Sequence, residues 1–152
     1  MAGHSAIGTA GPVFEVPLER GKVHEYAQAA KSQHPAYIAD RAPPVPATFL
    51  VTAGFLWGYT LEHPGDTPLA DVELDTEDLL HAEETFEFHG PPPRAGVTLQ
   101  ARTRIADVFE KQGRRGGTLT FIVSETTFHD GSGRLVALER STAVKPARTP
   151  TE

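Results

Sequence analysis

The densest gathering of proton-handling side chains in the sequence is Ser32-Gln33-His34-Pro35-Ala36-Tyr37, with Asp40 close behind. A hydroxyl, an imidazole, a phenol and a carboxylate in so short a stretch are groups that relay protons in acid–base chemistry. Two readings of this stretch stand side by side. In one, His34 is a general base oriented by Asp40, and Tyr37 donates a hydrogen bond to a substrate. In the other, His34 is a polar loop residue beside a turn proline, and Tyr37 packs its ring with the hydroxyl toward water. His81 and His89 flank an aromatic alternation but lie too far apart along a strand to ligate one metal together. The sequence has no His-Glu-x-x-His pattern, so no metal is expected, and no resident cofactor. Lys111, Arg114 and Arg115 surround a glycine-bearing turn; they suit either phosphate groups and an acidic partner or a solvated hairpin tip. The acidic run Glu73, Asp75, Glu77 and Asp78 is either a partner surface or a solvated connector.

Composition narrows the classes. The 152 residues suit one domain, and 39% hydrophobic with 22% charged residues can build a core. A formal net charge of -6 argues against a nucleic-acid partner, which needs a basic face. With no cysteine there are no disulfides, thiolate nucleophiles or cysteine-bound zinc. With no asparagine there is no N-glycosylation acceptor. Met1 to Pro12 lacks the basic start and apolar run of a signal peptide. The longest apolar stretch, Phe49 to Tyr59, is interrupted by Thr52, Gly54 and Gly58 and is too short to span a bilayer. A soluble, cytoplasmic domain is the expectation.

The elements that must position the reactive stretch follow from periodicity. Residues 1–12 and 146–152 are expected to be loose tails around a domain at 13–145. Val13 to Val16 suits a short strand ended by Pro17. Glu19 to Lys31 predicts a helix, with Val23, Tyr26, Ala27 and Ala30 on one face. Pro35, Pro43, Pro44 and Pro46 keep residues 32–46 irregular. Thr48 to Leu61 is apolar nearly all round, and its length favours a helix. Gly54 and Gly58 share a helical face and would let a sheet approach closely. Glu83 to Phe88 alternates with Phe86 and Phe88 inward. Val97, Leu99, Ala101, Thr103 and Ile105 form one face of a long strand. Leu119, Phe121 and Val123 open another strand, and Val136 and Leu138 a last one ending near Val144. Gln112 to Gly117 and His129 to Gly133 suit hairpins. The fold class is α+β, in the order of a hotdog fold: an antiparallel curved sheet wrapped around a long central helix.

Leu79-Leu80-His81-Ala82-Glu83-Glu84-Thr85-Phe86-Glu87-Phe88-His89-Gly90-Pro91, followed by Pro93, Arg94 and Gly96, resembles the signature of the N-terminal MaoC-type domain. That domain is also described as the fungal-fatty-acid-synthase-like dehydratase domain. Pro46-Ala47-Thr48-Phe49 resembles the family's lead-in to the hotdog helix, and Arg20 to Ala27 its first helix; the likeness spans roughly residues 13–145. It implies an acyl thioester on coenzyme A or acyl-carrier protein as substrate, and reversible addition of water across its 2,3-double bond with R stereochemistry at C3. It also implies a thioester site at Pro46, Ala47 and Thr48, with Phe55 and Trp57 lining the acyl tunnel or packing in the core. Catalytic members carry Asp-x-Asn-Pro-x-His. Here Ser32 stands in place of the Asp, His34 of the Asn and Tyr37 of the His, while Pro35 is kept. A serine hydroxyl and a phenol, with ordinary pKa values far above 7, do not replace that acid–base pair unaided. The resemblance therefore extends to the non-catalytic subunit of heterodimeric (3R)-hydroxyacyl-thioester dehydratases, paired with itself or with a catalytic subunit. A non-enzymatic acyl-thioester-binding module is the alternative. A thioesterase using Asp40 or Glu84 ranks last, because Thr48 to Tyr59 contains no acid.

Overall fold

The computed structural model describes residues 4–58, 78–114 and 116–146. Its framework is five strands: β1 (Phe14–Pro17), β2 (Leu80–Phe88), β3 (Thr98–Gln112), β4 (Thr118–His129) and β5 (Leu135–Lys145). They form one antiparallel sheet in the order β1-β3-β4-β5-β2. Helix α1 (Arg20–Ala29) and the one-turn helix α2 (Pro35–Ile38) join β1 to the proline-rich segment.

The strands follow the expected alternation. Leu99, Ala101, Thr103 and Ile105 are buried on one face of β3 while Gln100, Arg102 and Arg104 are exposed. That face carries the main core: Leu99, Ala101, Phe128, Val136 and Ala137 meet Val23 of α1 and Val45, Phe49, Leu50 and Ala53. Each Val, Leu or Phe side chain among them withdrawn from water contributes about 1.5–3 kcal/mol. Alternation then slips. A register shift between Ile105 and Asp107 turns Val108 inward, where it joins Ile105, Ile122 and Ala6 in a second cluster. Phe121 stacks on Phe109 on the other face with ring centroids 4.9 Å apart.

Two expectations are corrected. The first concerns the start of the chain. Within the expected loose tail, residues 4–11 are tied down: Gly8 N donates to Ile105 O (2.8 Å), Ile105 N to Thr9 O (2.8 Å) and Gly11 N to Thr103 O (2.9 Å). These bonds satisfy backbone groups that β3 would otherwise leave open beyond the short β1. The second concerns the helix expected over Thr48 to Leu61. Residues 49–58 are helical throughout, as expected, but the winding is mixed: a 3-10 turn at Phe49–Val51, α winding at Thr52 and Ala53, and a π-turn at Gly54–Gly58; residues 59–61 lie outside the described residues. Thr52 Oγ1 donates to Phe49 O at 2.8 Å, competing for a carbonyl of the helical ladder. Glycines at 54 and 58 weaken the preference for α winding further. The close approach expected at Gly58 is present: a Cβ there would lie 2.8 Å from the Phe14 ring.

On the core face, Thr103 Oγ1 and Thr126 Oγ1 are 2.8 Å apart, and both residues are buried. Thr103→Val alone strands the Thr126 hydroxyl and is expected to cost about 1–3 kcal/mol. The Thr103→Val/Thr126→Val double variant is expected to cost clearly less than the sum of the two singles, as read from urea midpoints.

Candidate thioester site and its helical supports

The reactive stretch is aimed by the end of α1. Lys31 takes a left-handed conformation (φ 55), Lys31 N donates to Gln28 O, and Ser32 N reaches back to Ala27 O, each at 2.9 Å. This paired closure of a helix end throws the following residues sharply aside. Ser32 Oγ then accepts from His34 N at 3.4 Å. His34 caps α2: its Nδ1 accepts from Ala36 N at 3.2 Å, so Nδ1 is engaged as an acceptor and Nε2 carries the ring hydrogen. The Tyr37 ring is half-buried against the core, 5.6 Å from the His34 ring centroid, and its carbonyl lies 3.4 Å from His24 Nδ1.

Asp40 does not orient His34. Its Oδ1 accepts from Ala42 N at 3.0 Å, and its Oδ2 pairs with Arg94. The Ala42 N–H and the Arg94 guanidinium hold the Asp40 carboxyl below its ordinary value, which keeps it ionised as a structural anion. Arg94 stands where the proline-rich segment meets the approach to β3: Val45 N donates to Pro93 O and Ala95 N to Pro43 O, both at 2.9 Å. Gly96, at φ 98, then turns the chain so that its N–H reaches Leu18 O at 2.8 Å.

This clasp delivers Pro46, Ala47 and Thr48. Pro46 is buried, and Ala47 and Thr48 are exposed just ahead of the 3-10 turn, whose first N–H, that of Phe49, donates to Pro46 O at 2.9 Å. Tyr26, which sequence reasoning placed only on a helix face, fixes this corner. Its hydroxyl lies 2.7 Å from Thr48 Oγ1 and donates to Thr48 O at 3.1 Å, while its ring meets Phe49 edge-on at 5.4 Å. Tyr26, Ala29, Phe49, Thr52 and Leu56 border a groove of about 260 Å³. Trp57 is half-buried against the core, whereas Phe55 is 77% exposed and Leu56 45% exposed. A larger cleft of about 410 Å³, bordered by Leu18, Arg20, Arg41 and Gly96, opens on the other side of α1's first turn.

The model of the FAS1-like dehydratase domain region matches residues 5–139. The chain belongs to that family. The enoyl-CoA hydratase ChsH3 of Mycobacterium tuberculosis is 31% identical over 101 residues, which are 66% of this chain and 32% of ChsH3. The chain thus spans about a third of the length of that curated relative. Among solved structures, the HadBC (3R-hydroxyacyl-ACP dehydratase) complex of M. tuberculosis contains a chain with a TM-score of 0.64 and 22% identity; the match covers 91% of this chain and 98% of that one. The ChsH1-ChsH2 complex of the same organism gives a TM-score of 0.72 at 17% identity, covering 97% and 89%. These likenesses show the hotdog fold. Among the described residues no helix is long and apolar enough to cross a membrane, and no cluster of His, Cys, Asp and Glu could hold a metal ion.

Other candidates fall outside this corner. His81 Nε2 lies 3.0 Å from Glu84 Oε2, and His89 Nε2 lies 3.5 Å from Glu87 Oε1. Lys111 Nζ sits over the Phe109 and Phe121 rings, 5.1 and 5.3 Å from their centroids. That hairpin is roughly 40 Å along β3 from the Thr98 end, at about 3.3 Å per residue. Of the acidic run, Glu73, Asp75 and Glu77 lie outside the described residues.

His34 acting as a cap and His34 acting as a base respond differently to substitution. His34→Asn, which keeps a capping acceptor, is expected to hold stability near wild type, and His34→Ala to lose about 0.5–1 kcal/mol in urea unfolding.

Proposed function

We propose that this chain is a subunit of an R-specific 3-hydroxyacyl-thioester dehydratase, acting also in the reverse direction as an enoyl-thioester hydratase. It shapes the thioester site, while the acid–base pair comes from a second hotdog. The observation that carries the reading is the state of residues 32–37: a hydroxyl and a phenol replace the carboxylate and imidazole of catalytic members, and the one imidazole in the segment has its acceptor nitrogen committed to the Ala36 N–H.

Hydration needs a base to take a proton from water as oxygen bonds to C3, and an acid to deliver a proton to C2. It also needs N–H donors for the charge that develops on the thioester oxygen. The exposed Ala47–Thr48 turn suits the second role, with Tyr26 fixing its position. Phe55 and Leu56 supply an exposed apolar surface for the acyl chain or for the partner that encloses it. Arg20 and Arg41, in the neighbouring cleft, are better placed than Lys111 and Arg114 to meet a phosphate of coenzyme A or of a carrier protein's pantetheine arm, and Arg115 lies outside the described residues.

A partner also suits the sheet. Among the described residues β2 is an edge strand of nine residues with its outer backbone groups unpaired and Leu80 57% exposed. The HadBC and ChsH1-ChsH2 structures are themselves two-component complexes. The partner is a second copy of this chain or a catalytic MaoC-type subunit, and the reading favours the latter.

Crotonyl-coenzyme A hydration tests this directly. The purified wild-type chain alone is expected to give no turnover, and Ser32→Asp/Tyr37→His to exceed it by about a hundredfold or more. Turnover by the wild-type chain alone, retained in His34→Asn, would contradict the assignment of the acid–base pair to a partner.

A further inference from the structure

The core face of the sheet changes character toward its far end. Register sets Thr103, Thr126, Glu139 and Phe86 in one row across β3, β4, β5 and β2, and Ile105, Ser124, Ser141 and Glu84 in the next. Glu84 and Glu139 are therefore diagonal neighbours on the same face of the β2–β5 pair. The Glu84 side chain is only 16% exposed, and its Oε1 is buried with no conventional donor in reach. Glu84 Oε2 faces His81 Nε2 at 3.0 Å. A bulge between His81 and Glu83 makes that contact, since without the extra residue His81 and Glu84 would point to opposite faces.

Two ionised carboxylates cannot stay side by side out of water; one proton between them converts the repulsion into an O–H···O bond. We propose that Glu84 and Glu139 share one proton and thereby act as a clasp between edge strand β2 and β5, closed while the proton is held and loosened when it is lost. The groups facing the pair bear this out. From β4 come Ser124 and Thr126, from β5 Ser141, and from β3 beyond them Thr103 and Ile105, none of which titrates. Arg140 and Glu125 lie on the opposite face, paired with each other at 2.9 Å. The further titratable groups that register sets on this face are His81, 3.0 Å from Glu84 Oε2, and Glu110 and Lys145 in the row where β3, β4 and β5 hold Glu110, Thr120 and Lys145. Burial, followed by the charge of Glu84 and a hydrogen bond with it, raises the Glu139 carboxyl to about 8.

The sign follows from proton counting. An unfolded glutamate releases its proton near its ordinary value of 4.5, while the folded pair keeps it until about 8. Between those values the folded state holds one more proton, so stability falls as pH rises, by up to tenfold in the folding constant per unit, and levels off above 8. The carboxyls of Asp40, Glu125 and Asp130 are shifted downward, so their contributions change only in acid, outside this window. The clasp thus makes the hold on the long open edge of the sheet depend on pH around neutrality, whatever docks there.

The test uses the full chain. Urea unfolding of wild type and Glu139→Gln between pH 5.5 and 7.5 is expected to show the ratio of their folding constants falling about a hundredfold; a ratio that does not change with pH overturns the clasp. Should Glu139→Gln fail to fold, the carboxyl-carbon resonance of Glu139 in the wild-type protein decides. Titration near 8 is expected, and titration near 4.5 overturns the proposal. Amide exchange in β2, corrected for its intrinsic pH dependence, is expected to accelerate relative to β4 between pH 7 and 9, and parallel behaviour of the two strands counts against the clasp.

Discussion

Pro43, Pro44 and Pro46 have no N–H to give, so Val45 is the one residue of Pro43–Pro46 able to donate to a neighbouring strand, and its bond to Pro93 O is answered by Ala95 N to Pro43 O. This two-bond clasp, flanked by the Asp40–Arg94 ion pair, is the constraint on which the site depends. Val45 is 2% exposed, so losing its acceptor would leave a buried donor unsatisfied, at a cost of about 1–3 kcal/mol. On one side the clasp sets the approach to β3 through Gly96 and Leu18. On the other it seats Pro46 and delivers Ala47 and Thr48 to the surface, where Tyr26 of α1 holds them. Helix, proline segment and sheet therefore share one corner, and the candidate thioester site is that corner.

The sheet beneath has two ends of different chemistry. At the clasp end the row Ala101, Phe128, Ala137 and Phe88 is apolar and packs under α1 and Phe49–Ala53. Two rows on, the same face carries Ser124, Ser141 and Glu84, with Glu139 beside them. The opposite face places Glu125 between Arg104 at 2.7 Å and Arg140 at 2.9 Å, and these guanidiniums, Arg140 foremost, keep its carboxyl below the ordinary range. Charge on the outer face is thus compensated within the sheet, whereas charge on the inner face is removed by a proton.

Much of this was legible in the sequence because it is periodic. Leu99 to Ile105 alternate with period two, Val23 to Ala30 recur with period 3.6, and the prolines at 43, 44 and 46 mark the break between them. The family resemblance named the fold through Glu83 to Gly96 and singled out Ser32 and Tyr37 as the positions to compare with the Asp/His pair of catalytic members. What stayed hidden depends on long-range register. A single bulge after Ile105 turned Val108 to the inner face opposite Ile122, and another after His81 brought His81 and Glu84 to one face. Residues 4–11 look like a tail because their partners lie a hundred positions away on β3. Tyr26 looked like a core residue because periodicity reports where a ring points and is silent on its hydroxyl. Of the two places open to Phe55, tunnel wall or core, its 77% exposure excludes the core.

The central proposal is that an acyl thioester sits at the Pro46–Thr48 corner. Amide chemical shifts of the isotopically labelled chain, titrated with a non-reactive thioether analogue of crotonyl-coenzyme A, test it most directly. The account predicts saturable shifts centred on Ala47, Thr48 and Phe49, extending to Ser32–Tyr37 and to Arg20 and Arg41. Saturable shifts centred instead on the Lys111–Arg114 hairpin, or no shifts at millimolar analogue either alone or with a catalytic MaoC-type subunit present, would contradict it.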